Sequence, residues 1–233
     1  MLLKAEQKNF LNKMKKYKAF IFDMDGVIFD NNEYHKKAFD VFCEKYQYPL
    51  TDEDFNTNIV GRTNEMIMAY LFGDKLSTEE INQFAEEKES IFRELYRPNV
   101  KPTAGLPFFL EKAKANNIVC GVGSNAPQAN IDFMIETTGF GQYFSVLVNA
   151  SMVEKGKPAP DVYLKVASLL GVDPSDCVIF EDSPTGVKAG NAAGIDVVGV
   201  LSTHTLEELG TDNCVDFITT FEESENFIKS VFN

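Results

Sequence analysis

Asp23 and Asp25 stand two residues apart directly after the apolar run Ala19-Phe20-Ile21-Phe22, and Gly26 follows them. If the run is a strand, its carboxyl end delivers Asp23 to the edge of a sheet, where the ligands of open parallel sheets bind. A carboxylate placed there can attack phosphorus as a nucleophile. A second one can protonate the leaving oxygen and then take a proton from water. Gly26 supplies the backbone freedom that turns both toward one site. The same pattern also suits a capped turn or a calcium loop. A calcium-binding helix-loop-helix needs an oxygen ligand at position five, and that position is Val27, so the calcium alternative fails.

Three further apolar runs end in polar groups. Val119–Val122 leads into Gly123-Ser124-Asn125; a hydroxyl with adjacent backbone N–H groups suits a phosphate oxygen, although taken alone Ser124 reads more readily as a helix N-cap. Val146–Val148 is followed by Glu154-Lys155-Gly156-Lys157-Pro158-Ala159-Pro160. The prolines restrict the backbone and can hold Lys157 ready to neutralise a nucleophile and a transferring phosphoryl group; a surface lysine in a turn is the plainer alternative. Val178-Ile179-Phe180 runs into Glu181-Asp182. Acids at a helix N-terminus would explain them, but with Asp23 nearby they form the hard oxygen site that Mg²⁺ prefers. Each feature is modest alone. Their order, each at the end of a successive strand, carries the reading.

The positioning elements follow from the same runs. With Val197–Val200 they give five buried strands, and amphipathic patterns lie between them. The clearest predicts a helix over Asp161–Leu170, with Val162, Val166, Leu169 and Leu170 on one stripe and Gly171 as its stop. Alternating, nearly continuous apolar strands and helices predict an α/β fold, a doubly wound parallel sheet covered on both faces. From Asp30 to about Lys101 the alternation breaks. There Tyr34, Ala38, Val41, Phe42 and Tyr46 recur at helical spacing, as do Ile81, Phe84, Ala85, Ile91, Phe92 and Leu95, and Ser77 with Glu80 forms a capping-box pattern. The expected organisation is a core of residues 1–29 and 102–233 with a helical domain, 30–101, inserted after the first strand.

Composition narrows the partners. The 233 residues carry a net charge of −13, and residues 1–18, with six lysines and one glutamate, contribute +5. An acidic body of −18 excludes nucleic acid as the main partner. No apolar run nears the roughly 20 residues that span a bilayer, so no membrane partner is expected. The basic start reads as a solvated helical extension with Phe10, Leu11 and Met14 against the body; a membrane surface is the alternative. Cys43, Cys120, Cys177 and Cys214 are far apart, and the histidines are two, His35 and His204. This excludes a zinc cluster, and with no export signal it predicts a cytoplasmic protein with reduced thiols. Nothing points beyond a monomer or weak homo-oligomer.

The order of these motifs is similar to that of the haloacid dehalogenase-like superfamily of phosphotransferases. The resemblance covers roughly residues 17–29 and 102–220. It implies a Rossmann-like core and Mg²⁺ as cofactor. By position, Asp23 resembles the nucleophile that carries an aspartyl-phosphate and Asp25 the general acid/base. Ser124 resembles the phosphate-binding hydroxyl, with Asn125 beside it, and Lys157 the lysine of the third motif. Glu181 and Asp182 resemble the metal-binding acids, joined by the Asp23 carboxylate and the backbone carbonyl of Asp25. The insert resembles the small cap of subclass I, which closes over the site and excludes water. An acid at position 25 resembles phosphatases and phosphomutases; the dehalogenase branch lacks it, and the P-type ion pumps have threonine there.

The stretch from Asp23 to His35, with Glu33-Tyr34-His35, resembles β-phosphoglucomutase and its closest phosphatase relatives. In such mutases the matching histidine limits hydrolysis until substrate binds. The segment Val60-Gly61-Arg62-Thr63-Asn64 departs from the mutase pattern, which has a lysine before the glycine and an arginine three after it to grip a second phosphate. Arg62 is the candidate to compensate, with a surface salt bridge as its alternative; for His35 the alternative is a satisfied histidine on a helix. The resulting expectation is a Mg²⁺-dependent phosphatase acting on a small phosphorylated metabolite, a sugar phosphate. A β-phosphoglucomutase-type mutase and a catalytically silent metabolite-binding relative are the alternatives. A signalling receiver is set aside, because receivers have no large helical insert and place their acid pair before the phosphorylated strand.

Overall fold

A computed structural model describes residues 16–59, 62, 64–222 and 226–232. Phe10, Leu11 and Met14 of the basic start, and Val60, Gly61 and Thr63 of the insert, lie outside them. The chain divides into two units, Met1–Asp30 with Lys101–Asn233, and Asn31–Val100.

The first unit is built on six parallel strands: β1 (Ala19–Phe22), β2 (Val119–Gly123), β3 (Phe144–Val148), β4 (Cys177–Glu181), β5 (Asp196–Val200) and β6 (Asp216–Ile218). Their order is β3-β2-β1-β4-β5-β6. The chain builds outward from β1 on one side, then crosses back to β4 and builds outward on the other. A crevice forms at that reversal, beside β1, because the connections leave the two neighbouring strands in opposite directions. Phe22 lies opposite both Val122 and Phe180, so β1, β2 and β4 end at one height. The Asp23 N–H extends the ladder by one bond, to the Phe180 carbonyl at 3.0 Å. Strand β6 was not expected, because Asp216-Phe217-Ile218 is too short to register as an apolar run. Strand β4 takes in Glu181, which is thereby a strand residue rather than the start of a loop.

The Asn31–Val100 unit holds α1 (Asn32–Lys45), a one-turn α2 (Asp52–Asp54) running into a π-helical turn (Phe55–Ile59), α3 (Asn64–Phe72) and α4 (Thr78–Tyr96). Ser77 and Glu80 form the expected capping box at the start of α4. Its core joins Phe39, Phe42, Cys43, Ile67, Met68, Leu71 and Ala85. The α1 stripe is Ala38, Phe39, Phe42 and Cys43; Val41, expected inside, is 43% exposed, because the buried i, i+4 pairs turn the flank it occupies outward. Lys88 and Glu89 form a buried ion pair on α4, with the ammonium 4.7 Å from the Phe39 ring centre, a placement that offsets part of its desolvation.

The remaining helices, α5 (Leu106–Ala115), α6 (Gln128–Thr138), α7 (Asp161–Leu170), α8 (Pro184–Ala192), α9 (Leu206–Leu209) and α10 (Asn226–Ser230), belong to the sheet unit. Strand alternation sorts its core into two faces. Phe20, Phe22 and Phe180 meet Phe109 of α5 and Phe221. Ala19, Ile21, Cys177 and Ile179 pack with Val162, Tyr163, Val166 and Ala167 of α7. The α7 pattern differs from expectation at its end. Leu169 is half exposed, and the buried stripe is Val162, Tyr163, Val166 and Ala167. Gly123 lets α7 come close, since a Cβ there would sit 3.1 Å from the Tyr163 ring.

Candidate active site

Asp23 and Glu181 share the α7-facing parity of their strands, and both side chains are drawn onto one ammonium. Lys157 Nζ lies 2.7 Å from Asp23 Oδ1 and 2.8 Å from Glu181 Oε1. The alternative of a surface lysine is removed, for its side chain is only 4% exposed. Its main chain is clasped by Asn125. The Lys157 N–H donates to Asn125 Oδ1 at 3.1 Å, and Asn125 Nδ2 donates to the Lys157 carbonyl at 3.5 Å. Asn125, expected beside the phosphate, thus holds the lysine loop. Ser124 is buried, and its Oγ accepts the Ala126 N–H at 3.0 Å. It closes a local turn rather than capping α6, whose N-cap is Pro127. A hydroxyl that accepts in this way keeps its own proton to donate.

Glu181 is sealed. Its Oε1 accepts from Lys157 and from the Tyr163 hydroxyl at 3.0 Å, and its Oε2 accepts from the Ser183 N–H at 2.7 Å and the Ser183 hydroxyl at 3.0 Å. Ser183 also caps α8 through the Gly186 N–H. Gly186 is required here, because a Cβ would overlap the Glu181 carboxylate. Asp182 lies beside Gly26, whose φ of +75° turns the chain after Asp23; a Cβ on Gly26 would overlap Asp182 Oδ2. The Thr203 hydroxyl donates to that oxygen. Asp25 is part-buried, and its backbone bridges to Phe29.

Asp23, Glu181 and Asp182 each offer an oxygen within 4.8 Å of the others. Three carboxylates against one buried ammonium leave an excess of negative charge. Burial pushes the Asp23 carboxyl up to about 7, although Lys157 pulls it down, and the charges of Glu181 and Asp25 add to the rise. Burial, then repulsion from Glu181 and Asp23, also holds Asp182 well above the carboxylate range. Burial opposes the Lys157 ammonium, but the two acids outweigh it and raise its pKa. A hard divalent cation fits this donor set: all-oxygen, buried and short of positive charge.

Sequence reasoning missed Tyr163, Ser183 and Thr203. The corrected α7 stripe would have pointed to Tyr163; nothing in spacing marks Thr203. A Tyr163→Phe variant is expected to lose about 1.5–3 kcal/mol, the range for a hydrogen bond to a charged group. Thermal melting would read this as a fall of several degrees; an unchanged melting temperature would show that Glu181 does not need this donor.

His35 and Arg62 belong to the other unit. His35 stacks on Phe92 with ring centres 3.8 Å apart. Arg62 is exposed, and its Nη2 donates to the Thr57 carbonyl at 3.2 Å. No helix among the described residues is long and apolar enough to cross a membrane.

The sequence profile of haloacid dehalogenase-like hydrolases matches residues 20–200. A phosphorylated carbohydrates phosphatase of Thermotoga maritima is 34% identical, over 82% of this chain and 87% of its own. A beta-phosphoglucomutase of Bacillus subtilis is 31% identical, over 78% of this chain and 83% of its own. Among solved structures, a family IA hydrolase of Entamoeba histolytica superposes with a TM-score of 0.84 at 27% identity, covering 93% of this chain and all of that one.

Proposed function

The chain belongs to the haloacid dehalogenase-like hydrolase family, and from that premise we propose that it is a Mg²⁺-dependent phosphatase of a small phosphorylated metabolite, a sugar phosphate. The observation that carries this reading is the single ammonium of Lys157 bound to both Asp23 and Glu181, with Asp182 alongside, at the reversal point of the sheet. Similarity to a carbohydrate-phosphate phosphatase supports the substrate class.

The residues divide the work as follows. Asp23 keeps 12% side-chain exposure while Glu181 keeps none, so Asp23 is the acid a substrate can reach. Its carboxylate oxygen attacks phosphorus, the bond from phosphorus to the sugar oxygen breaks, and Asp25 gives that oxygen a proton. Asp25 then takes a proton from water, whose oxygen attacks the aspartyl-phosphate, releasing phosphate and restoring Asp23. Lys157 and the Ser124 hydroxyl hold phosphoryl oxygens as their charge grows. Asp23, Asp182 and the Asp25 carbonyl would hold Mg²⁺ directly, with Glu181, whose oxygens already accept four hydrogen bonds, adding its charge or giving up one of those bonds to join them; the cation when bound offsets repulsion between the acids and a phosphate dianion. On the resemblance, His35 and Arg62 are proposed for substrate contact. The four buried cysteines, none of them in a disulfide, support a cytoplasmic setting.

A panel of phosphorylated sugars, assayed with Mg²⁺ for both free phosphate and isomer formation, tests the proposal. At least one member is expected to release phosphate stoichiometrically. Isomer formation stimulated by a sugar bisphosphate, with little phosphate, would instead establish a mutase, the activity of the similar Bacillus subtilis protein.

A further inference from the structure

The loop after β5 carries no acid and belongs to none of the four motifs, yet three consecutive residues of it bind the turn after Asp23 and the acid pair. The Ser202 hydroxyl donates to the Gly26 carbonyl at 2.5 Å. The Thr203 hydroxyl donates to Asp182 Oδ2. His204 Nδ1 lies 3.0 Å from the Asp182 carbonyl, which it reaches as an N–H donor. Asp182 Oδ2 is thus packed between Gly26, which has no room for a Cβ, and Thr203, whose Oγ1 would lie 2.8 Å from such an atom. A carboxylate gripped at one oxygen has its plane fixed and keeps the lone pairs of the other for a cation.

We propose that Thr203 is a positioning residue for the metal, setting the orientation of the Asp182 carboxylate and hence the affinity for a divalent cation. This rests on the metal reading above. Partners that hydrogen-bond a ligating carboxylate orient it, and their loss commonly weakens metal binding or activity about 10–100-fold. Thr203 is itself exposed, so its replacement leaves the core intact.

The test is metal binding by the full chain, without substrate: Mg²⁺ by titration calorimetry, and Mn²⁺ by the electron paramagnetic resonance signal of the free ion. Thr203→Val, which keeps the shape and removes the hydroxyl, is expected to weaken both by about tenfold or more. Thr203→Ser, which keeps the hydroxyl, should stay near the wild type in affinity and in metal-free melting temperature, while metal-free Thr203→Val should still unfold cooperatively, a few degrees lower for its lost hydrogen bond. Equal affinities in Thr203→Val and wild type would overturn the proposal. So would equal losses in the Val and Ser variants, since Ser keeps the hydroxyl and its loss would have to come from packing rather than from the hydrogen bond. A wild type that binds neither ion would overturn this proposal together with the metal reading, whereas a wild type that binds while Thr203→Val is unaffected overturns this one alone.

Discussion

Replacing Asp23 by Asn is expected to abolish turnover, a loss of at least about 10⁴-fold, while the metal-free protein melts no lower than the wild type. The first half follows from chemistry. A carboxamide oxygen is a poor nucleophile toward phosphorus, and Glu181, which shares the Lys157 ammonium, cannot replace Asp23: it has no side-chain exposure and accepts four hydrogen bonds. Removing the nucleophile of a covalent mechanism typically removes most of the rate enhancement. The second half follows from charge. Asp23, Glu181 and Asp182 repel one another in a buried volume, and burial already pushes the Asp23 carboxyl up to about 7. The amide removes one of these charges and leaves Lys157 paired with Glu181. Sites built for reaction commonly trade stability in this way. Steady-state assays and thermal melts on the same sample decide it. Hydrolysis at the wild-type rate would refute the nucleophile, and a collapse in melting temperature would show that Asp23 is needed for folding instead.

Chelation of divalent metal should have the next largest effect, extinguishing phosphate release, with recovery when Mg²⁺ is returned. The charge excess among Asp23, Asp182, Glu181 and Lys157 makes the same cation a stabiliser. A ligand that binds only the folded state at a hundred times its dissociation constant adds about 2.7 kcal/mol. For a chain of this length that corresponds to a rise in melting temperature of roughly 5–11 °C. Activity that persists in chelator, with a melting temperature indifferent to Mg²⁺, would remove the metal from the mechanism.

Five of the six strands, and the polar groups that follow four of them, were legible because each strand is a run of apolar residues, and such runs announce themselves without knowledge of the fold. Burial of Cys120 and Cys177 followed from the same runs. What escaped was whatever depends on which side of an element faces in. The stripe drawn through Leu169 left Tyr163 out, although that ring lies under the site and its hydroxyl holds Glu181. Asn125 was placed by its neighbour Ser124, whereas its amide serves a main chain 32 positions away. Ser202 and Thr203 reach partners 176 and 21 positions back. Bonds of that kind leave no periodicity, so only coordinates reveal them.

One of the two central strands of the sheet is also its first, and this has a bearing on biosynthesis. Strand β1 needs β2 and β4 as neighbours, and about 160 residues separate its end from that of β4. At a translation rate of roughly 5–20 residues per second, β1 spends on the order of 10–30 seconds outside the ribosome before its second neighbour exists. Its four residues, Ala19-Phe20-Ile21-Phe22, are wholly apolar, the kind of exposed segment that chaperones of nascent chains shield. Lys157, Glu181 and Asp182 are made late in this interval or at its end, so a truncated product lacking the last third of the chain would own a nucleophile without the groups that activate it.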